Sequence, residues 1–172
     1  MTIQQIWIMA FVTGCAVLVW FGFARLMKQR ERGWVFTIKQ DNNKALASLR
    51  LSAYERLVIM LERITPQSLI LRHHIQASNA GMLQRDLIRA IREEFEHNIS
   101  LQVYVSMGCW DKVTRARDET IELIKIAATK VDTSSDPLFL SQEVIALESI
   151  VQNSAIREAI LAIRQEMDAH YG

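Results

Sequence analysis

Glu94 and His97 stand three residues apart in Glu94-Phe95-Glu96-His97, so a helix would bring a carboxylate and an imidazole to one side. That E-x-x-H step is the one from which di-iron carboxylate bundles are built, but such a site needs two pairs and two further inward carboxylates. This chain holds a single pair. Glu55 and Glu62 are the acids that another helix could add, and a metal-dependent enzyme using Glu94 and His97 is the catalytic alternative. The ligand count favours an ordinary surface or interhelical hydrogen bond for His97, so no metal and no cofactor is assigned. His73 and His74 point about 100° apart on a helix, which makes a shared ion awkward, whereas imidazolium suits a helix C-terminus. Cys109 has no neighbouring base in sequence and reads as packing. No phosphate-binding loop, dinucleotide fingerprint, H-E-x-x-H or C-x-x-C occurs, and nothing orders a catalytic triad.

A second group of residues is charged and clustered: Tyr54, Glu55, Arg56, Glu62 and Arg63 against Arg89, Arg92, Glu93 and Glu94. On neighbouring helices these would form ion pairs, and a solvated charged face is the ordinary outcome. The alternative is a partly buried network that includes Asn98, an amide on an apolar stripe that must be hydrogen-bonded to be tolerated there.

These residues need helices to position them, and the periodicity supplies helices. Leu46, Leu49, Tyr54, Leu57, Val58, Leu61 and Ile64 recur at three- and four-residue steps, ending at Thr65-Pro66. A short helix from Pro66 to about His74, a loop at Gln76–Gly81 and a long helix from about Met82 to Val105 follow. The long helix is striped by Leu87, Ile88, Ile91, Phe95 and Ile99. Ser106 can cap the next helix, whose face is Trp110, Val113, Ile121, Ile124, Ala128 and Val131. Beyond the turn-forming Thr133-Ser134-Ser135-Asp136-Pro137, helices are expected at about Ser141–Val151 and Ala155–His170. The fold class is all-α, a bundle of about five helices over residues 45–172.

Ahead of this body, Ile3–Ala24 carries no charge over 22 positions, ten of which are Ile, Leu, Val or Phe. As a helix it would span ~33 Å, enough for a hydrocarbon core of ~30 Å. Met1 and Thr2 provide no basic n-region, so an uncleaved transmembrane helix is preferred to a signal peptide. Arg25, Lys28, Arg30 and Arg32 follow the run, which places the N-terminus outside and the body in the cytoplasm, at the inner membrane. Residues 25–44 hold six basic and two acidic residues, a balance of +4, leaving 14 basic and 17 acidic, or −3, over 45–172. The basic collar suits anionic headgroups. Within it, Trp34 and Phe36 read either as an interfacial wedge or as part of a juxtamembrane helix packed on the body. The chain's net charge of +1 in 172 residues does not suggest nucleic acid as a partner. Six glycines and two prolines argue against turn-rich β architectures, and Cys15 and Cys109 cannot staple the fold.

Two stretches carry a resemblance. Ala53-Tyr54-Glu55-Arg56-Leu57 with Leu61-Glu62-Arg63-Ile64-x-Pro66, and Ile91-Arg92-Glu93-Glu94-Phe95-Glu96-His97-Asn98-x-Ser100 with Tyr104-Val105-Ser106 and Trp110, resemble a family of small uncharacterised Bacteroidota proteins. The resemblance implies one N-terminal membrane helix, a charged juxtamembrane stretch and a small helical body, without a known activity. It marks Tyr54, Glu55, Arg56, Glu62, Arg63, Arg92, Glu94, Phe95, His97 and Asn98 as a shared network. The stretch Arg32-Gly33-Trp34-Val35-Phe36 departs from the evenly charged layout expected there. The preferred function is a non-enzymatic, membrane-tethered interaction or scaffold module with a protein partner or a second copy. A lipid-surface sensor built on Arg25–Arg32, Trp34 and Phe36 is a further alternative.

Overall fold

The computed structural model describes Gly14, Trp20, Phe21, residues 45–150 and residues 154–171. The chain divides into two units, Met1–Ala47 and Ser48–Gly172. In the first, Gly14, Trp20 and Phe21 are helical and exposed. Among the described residues no helix is long and apolar enough to cross a membrane. The expected span at 3–24 and the membrane-surface residues Arg25, Lys28, Arg30, Arg32, Trp34 and Phe36 lie, those three positions of the span apart, outside the described residues.

The described part of the second unit is built of helices joined by short loops, with no strand among the described residues. Helix α1 covers residues 45–63, and its inner face is Ala53, Tyr54, Leu57, Met60 and Leu61, continued by Ile64. The apolar stripe expected from Leu46 turns inward only at Ala53: Leu46 and Leu49 are about half exposed, because tertiary cover, not periodicity, decides burial. Thr65 separates α1 from α2 (Pro66–His73). Its hydroxyl donates to Glu62 O at 2.9 Å and accepts from Ser68 N at 3.4 Å, while Pro66 fills a position where a missing N–H costs nothing.

After a 3₁₀ turn at His74–Gln76, α3 runs from Ala80 to Asn98. It starts two residues earlier than the spacing predicts, because Asn79 caps it by accepting from Met82 N at 2.8 Å. Two further orphan donors of its first turn are satisfied from the loop before α5, with Ala80 N bonding Ser135 O at 2.8 Å and Gly81 N bonding Thr133 O at 2.9 Å. Gly81 is required by this approach: a Cβ there would lie 3.2 Å from both Thr133 Cβ and its carbonyl oxygen. The α-helical pitch ends at Asn98, not Val105, and tightens to a 3₁₀ segment at Ile99–Tyr104.

Helix α4 (Met107–Thr129) is capped by Ser106, as expected. Helix α5 (Pro137–Ile150) begins four residues ahead of Ser141, since Pro137 opens the helix rather than ending a loop and Asp136 accepts from Leu138 N at 2.8 Å. Helix α6 spans Ala155–Tyr171. The body has six helices among the described residues, in keeping with the expected all-α bundle of about five. Helix α4 is central, packed on α6, α3 and α5, and α3 also packs on α5 and α2. Leu57, Leu61, Leu83, Leu87, Ile91, Val113, Ile124, Leu140, Val144 and Ile163 are sealed in one core. Each such side chain contributes roughly 1.5–3 kcal/mol on burial.

Candidate functional site

The charged cluster forms where the end of α1, α2 and α3 meet. Glu94 on α3 faces two guanidinium groups, Arg63 Nε at 2.6 Å and Arg72 Nη1 at 3.6 Å. Arg72 is held for this contact by its own helix and by the end of α1, donating from Nε to Ser68 O at 3.1 Å and from Nη2 to Arg63 O. One helical turn further along α3, buried Asn98 donates from Nδ2 to Glu94 O at 2.8 Å and accepts from Arg56 Nη2 at 3.4 Å through Oδ1. The amide on the apolar stripe is thus satisfied on both sides, once by its own helix and once by α1.

The cluster lines an open hollow of about 430 Å³ with His73, Ala90, Glu93 and His97. His97 is exposed there, and Glu93 turns to Arg89 at 3.8 Å. Among the described residues no group of three or more His, Cys, Asp or Glu side chains is placed to hold a metal. Glu55, Glu62 and Arg92 stand exposed on the outer faces of α1 and α3. Glu62 contributes only its carbonyl, to Thr65.

Phe95 belongs to a different neighbourhood. Its ring meets Trp110 at 5.3 Å between centroids, and Arg117 Cζ lies 4.1 Å from its centre. This ties α3 to α4 through an aromatic pair and a cation–π contact.

Tyr54 joins neither group, and its partner was not among the residues singled out by spacing. Its hydroxyl donates to Glu166 Oε1 on α6 at 3.2 Å. The same carboxylate accepts from Ser106 N at 2.8 Å and from Ser106 Oγ at its other oxygen, so Glu166 clasps α1, the start of α4 and α6. Burial alone would raise the Glu166 carboxyl, but the Ser106 and Tyr54 hydrogen bonds and the charge of His170 hold it below its ordinary range. Burial, then the facing Glu166 charge, pushes the Tyr54 phenol up to about 12. Burial and the same carboxylate push the Cys109 thiol up to about 11. A thiol so protonated is a poor nucleophile, although it lies in the first turn of a helix where a thiolate is usually favoured. A lone Glu in the last turns of a charged helix gives no local signal of such a role.

In both constellations the central carboxylate is engaged, by guanidinium groups at Glu94 and by three donors at Glu166. No curated protein and no solved structure matches the chain. Over residues 1–170, all but the last two positions, it matches one family, and it belongs to that family, the Family of unknown function (DUF7935).

Proposed function

We propose that the chain is a non-enzymatic, single-pass membrane protein whose helical body presents a docking surface to a protein partner or to a second copy. In this reading residues 3–24 span the inner membrane, 25–44 lie at its cytoplasmic surface and 45–172 stand in the cytoplasm. The observation that carries it is how the body's best-built polar groups are engaged. Glu94 and Glu166 each join helices to one another, so these two carboxylates serve the packing of the body rather than standing free for a substrate. Further support comes from large apolar side chains in water near helix ends: Leu71 and Ile75 are 81% and 88% exposed, Val103 and Met107 75% and 82%. Tethering to a surface raises local concentration, so modest apolar faces of this kind suffice for association. The uncharged run followed by a basic collar supports the anchor and its orientation.

The test is crosslinking of the full chain in native membranes, alongside alkaline extraction. The expected outcome is a chain that resists extraction and is trapped with a partner or itself, the adduct being lost in Leu71→Asp/Ile75→Asp or Val103→Asp/Met107→Asp. A chain released by alkali, or a body cut by protease added outside intact cells, contradicts the anchor. Six basic residues beside Trp34 and Phe36 favour one further role, recognition of anionic lipid by the collar. Binding of a 25–44 peptide to phosphatidylserine vesicles should then weaken as salt rises. Indifference to both lipid charge and salt ends that role.

A further inference from the structure

A second hollow lies away from the charged cluster, between the start of α2, the middle of α4, the end of α5 and the start of α6. Its volume is about 280 Å³, just under the ~300–1,000 Å³ usual for small-molecule sites. The wall is largely apolar, built from Pro66, Leu123, Ile126, Leu147, Ala155 and Ile156. Three carboxylates also reach it, and two of them are neutralised by their own helix: Glu119 pairs with Arg115 at 2.7 Å, and Glu122 with Lys125 at 3.3 Å.

Glu148 is the third, and it differs. Its Oε2 is shut off from solvent and receives no hydrogen bond among the described residues. Arg157 and Arg164 line the adjoining hollow beyond Glu148, yet neither pairs with it. No basic side chain lines the apolar hollow itself, and Thr120 on its wall already donates its proton to Ala116 O at 2.7 Å. The side chain as a whole is only partly buried, but one carboxylate oxygen sealed off without a donor costs free energy, part of which a ligand bringing a cationic donor beside this carboxylate would recover. Burial already pushes this carboxyl above its ordinary range, which is the same deficit seen as a proton affinity.

We propose that this hollow is a binding site for a small organic ammonium, its hydrocarbon body against Leu123, Ile126, Leu147 and Ile156 and its N–H donors on Glu148. A carboxylate ligand is disfavoured by the unpaired Glu148 and the absence of a basic side chain on the wall. A neutral apolar molecule leaves Glu148 unpaired, so affinity and selectivity both come from the charged end.

Calorimetric titration of the full-length chain, purified in mild nonionic detergent, tests this with butylamine, benzylamine and 2-phenylethylamine as probes. 2-Phenylethanol and 3-phenylpropionate are the neutral and anionic controls. The expected result is saturable binding of at least one amine, ~tenfold or more weaker for the alcohol and absent for the acid. Glu148→Gln should lose ~tenfold or more in amine affinity, and Ile126→Trp, which fills the hollow, should lose binding as well. Circular dichroism melts of both variants confirm that they fold, and the two substitutions are independent routes to the same loss. Absence of binding by every amine at millimolar concentration, or equal amine affinity in folded Glu148→Gln, overturns the site. Tighter binding of Nα-acetyl-lysinamide than of the free amines overturns the small-molecule ligand in favour of a partner's lysine.

Discussion

Glu166 shows how one side chain can do the work of several. Its carboxylate receives a phenol from α1, and a backbone N–H and a hydroxyl from the start of α4. Glu166→Ala leaves three donors without their acceptor and should destabilise the body by about 2–4 kcal/mol, read from urea unfolding. Because the folded pKa is depressed, the stabilisation is complete above the unfolded glutamate value near ~4.3 and fades as pH falls through the folded value. Glu166→Gln should flatten that acid limb. The Tyr54 phenol has the opposite sign: raised to about 12, it contributes stability that is complete below the unfolded value near ~10 and is lost as pH rises toward the folded one. Cys109, buried and pushed up to about 11, should resist iodoacetamide at neutral pH in the folded chain. Peptide mass mapping should find it alkylated only in denaturant, and rapid labelling of the native chain would refute the assigned burial.

At the scale of elements, the helix ends carry the information. Thr65, Asn79, Ser106 and Asp136 each supply a side-chain oxygen to an N-terminal N–H, and these residue types can be read from sequence as caps. What cannot be read is the loop carbonyl that completes a cap. The bonds from Ala80 N and Gly81 N to Ser135 O and Thr133 O join residues more than fifty positions apart, and they demand that position 81 have no side chain. Gly81→Val should therefore cost roughly 1–3 kcal/mol through overpacking against Thr133, measured by thermal or urea unfolding. Gly81→Ala should cost less, since alanine's better helix propensity returns about 1 kcal/mol. The early start of α5 is a related case: Pro137 reads as a loop terminator or as a first helical residue, and only the packing of Leu140 and Val144 decides for the helix.

At the scale of the whole molecule, every residue of the buried core among the described residues falls within Ser48–Gly172. A chain restricted to 48–172 should accordingly fold by itself, with a helical spectrum and one cooperative melt whose calorimetric and van't Hoff enthalpies agree. A broad, non-cooperative melt would show that residues 1–47 are part of the folding unit. The charge distribution sorts the same way, with the basic excess confined to 25–44 and an acidic balance over 45–172.

The all-α class, the order of the helices and the Ser106 cap were legible in the residues alone, while Thr65, Asn79 and Asp136 read as a helix stop, a loop and a turn. Hydrophobic period, capping oxygens and proline geometry act over four residues or fewer, so they survive in a linear string. The pairing of α1 with α3 was half legible: the spacing singled out Arg56, Arg63, Glu94 and Asn98, and the folded chain brings these four together with Arg72. Glu55, Glu62 and Arg92 share their composition yet stay in water, because a helix has an outer face that charge alone does not mark. Tyr54 with Glu166, and the unpaired carboxylate of Glu148, were invisible. Both depend on which side chains meet across 112 positions of chain or fail to meet at all, and only three-dimensional packing determines that.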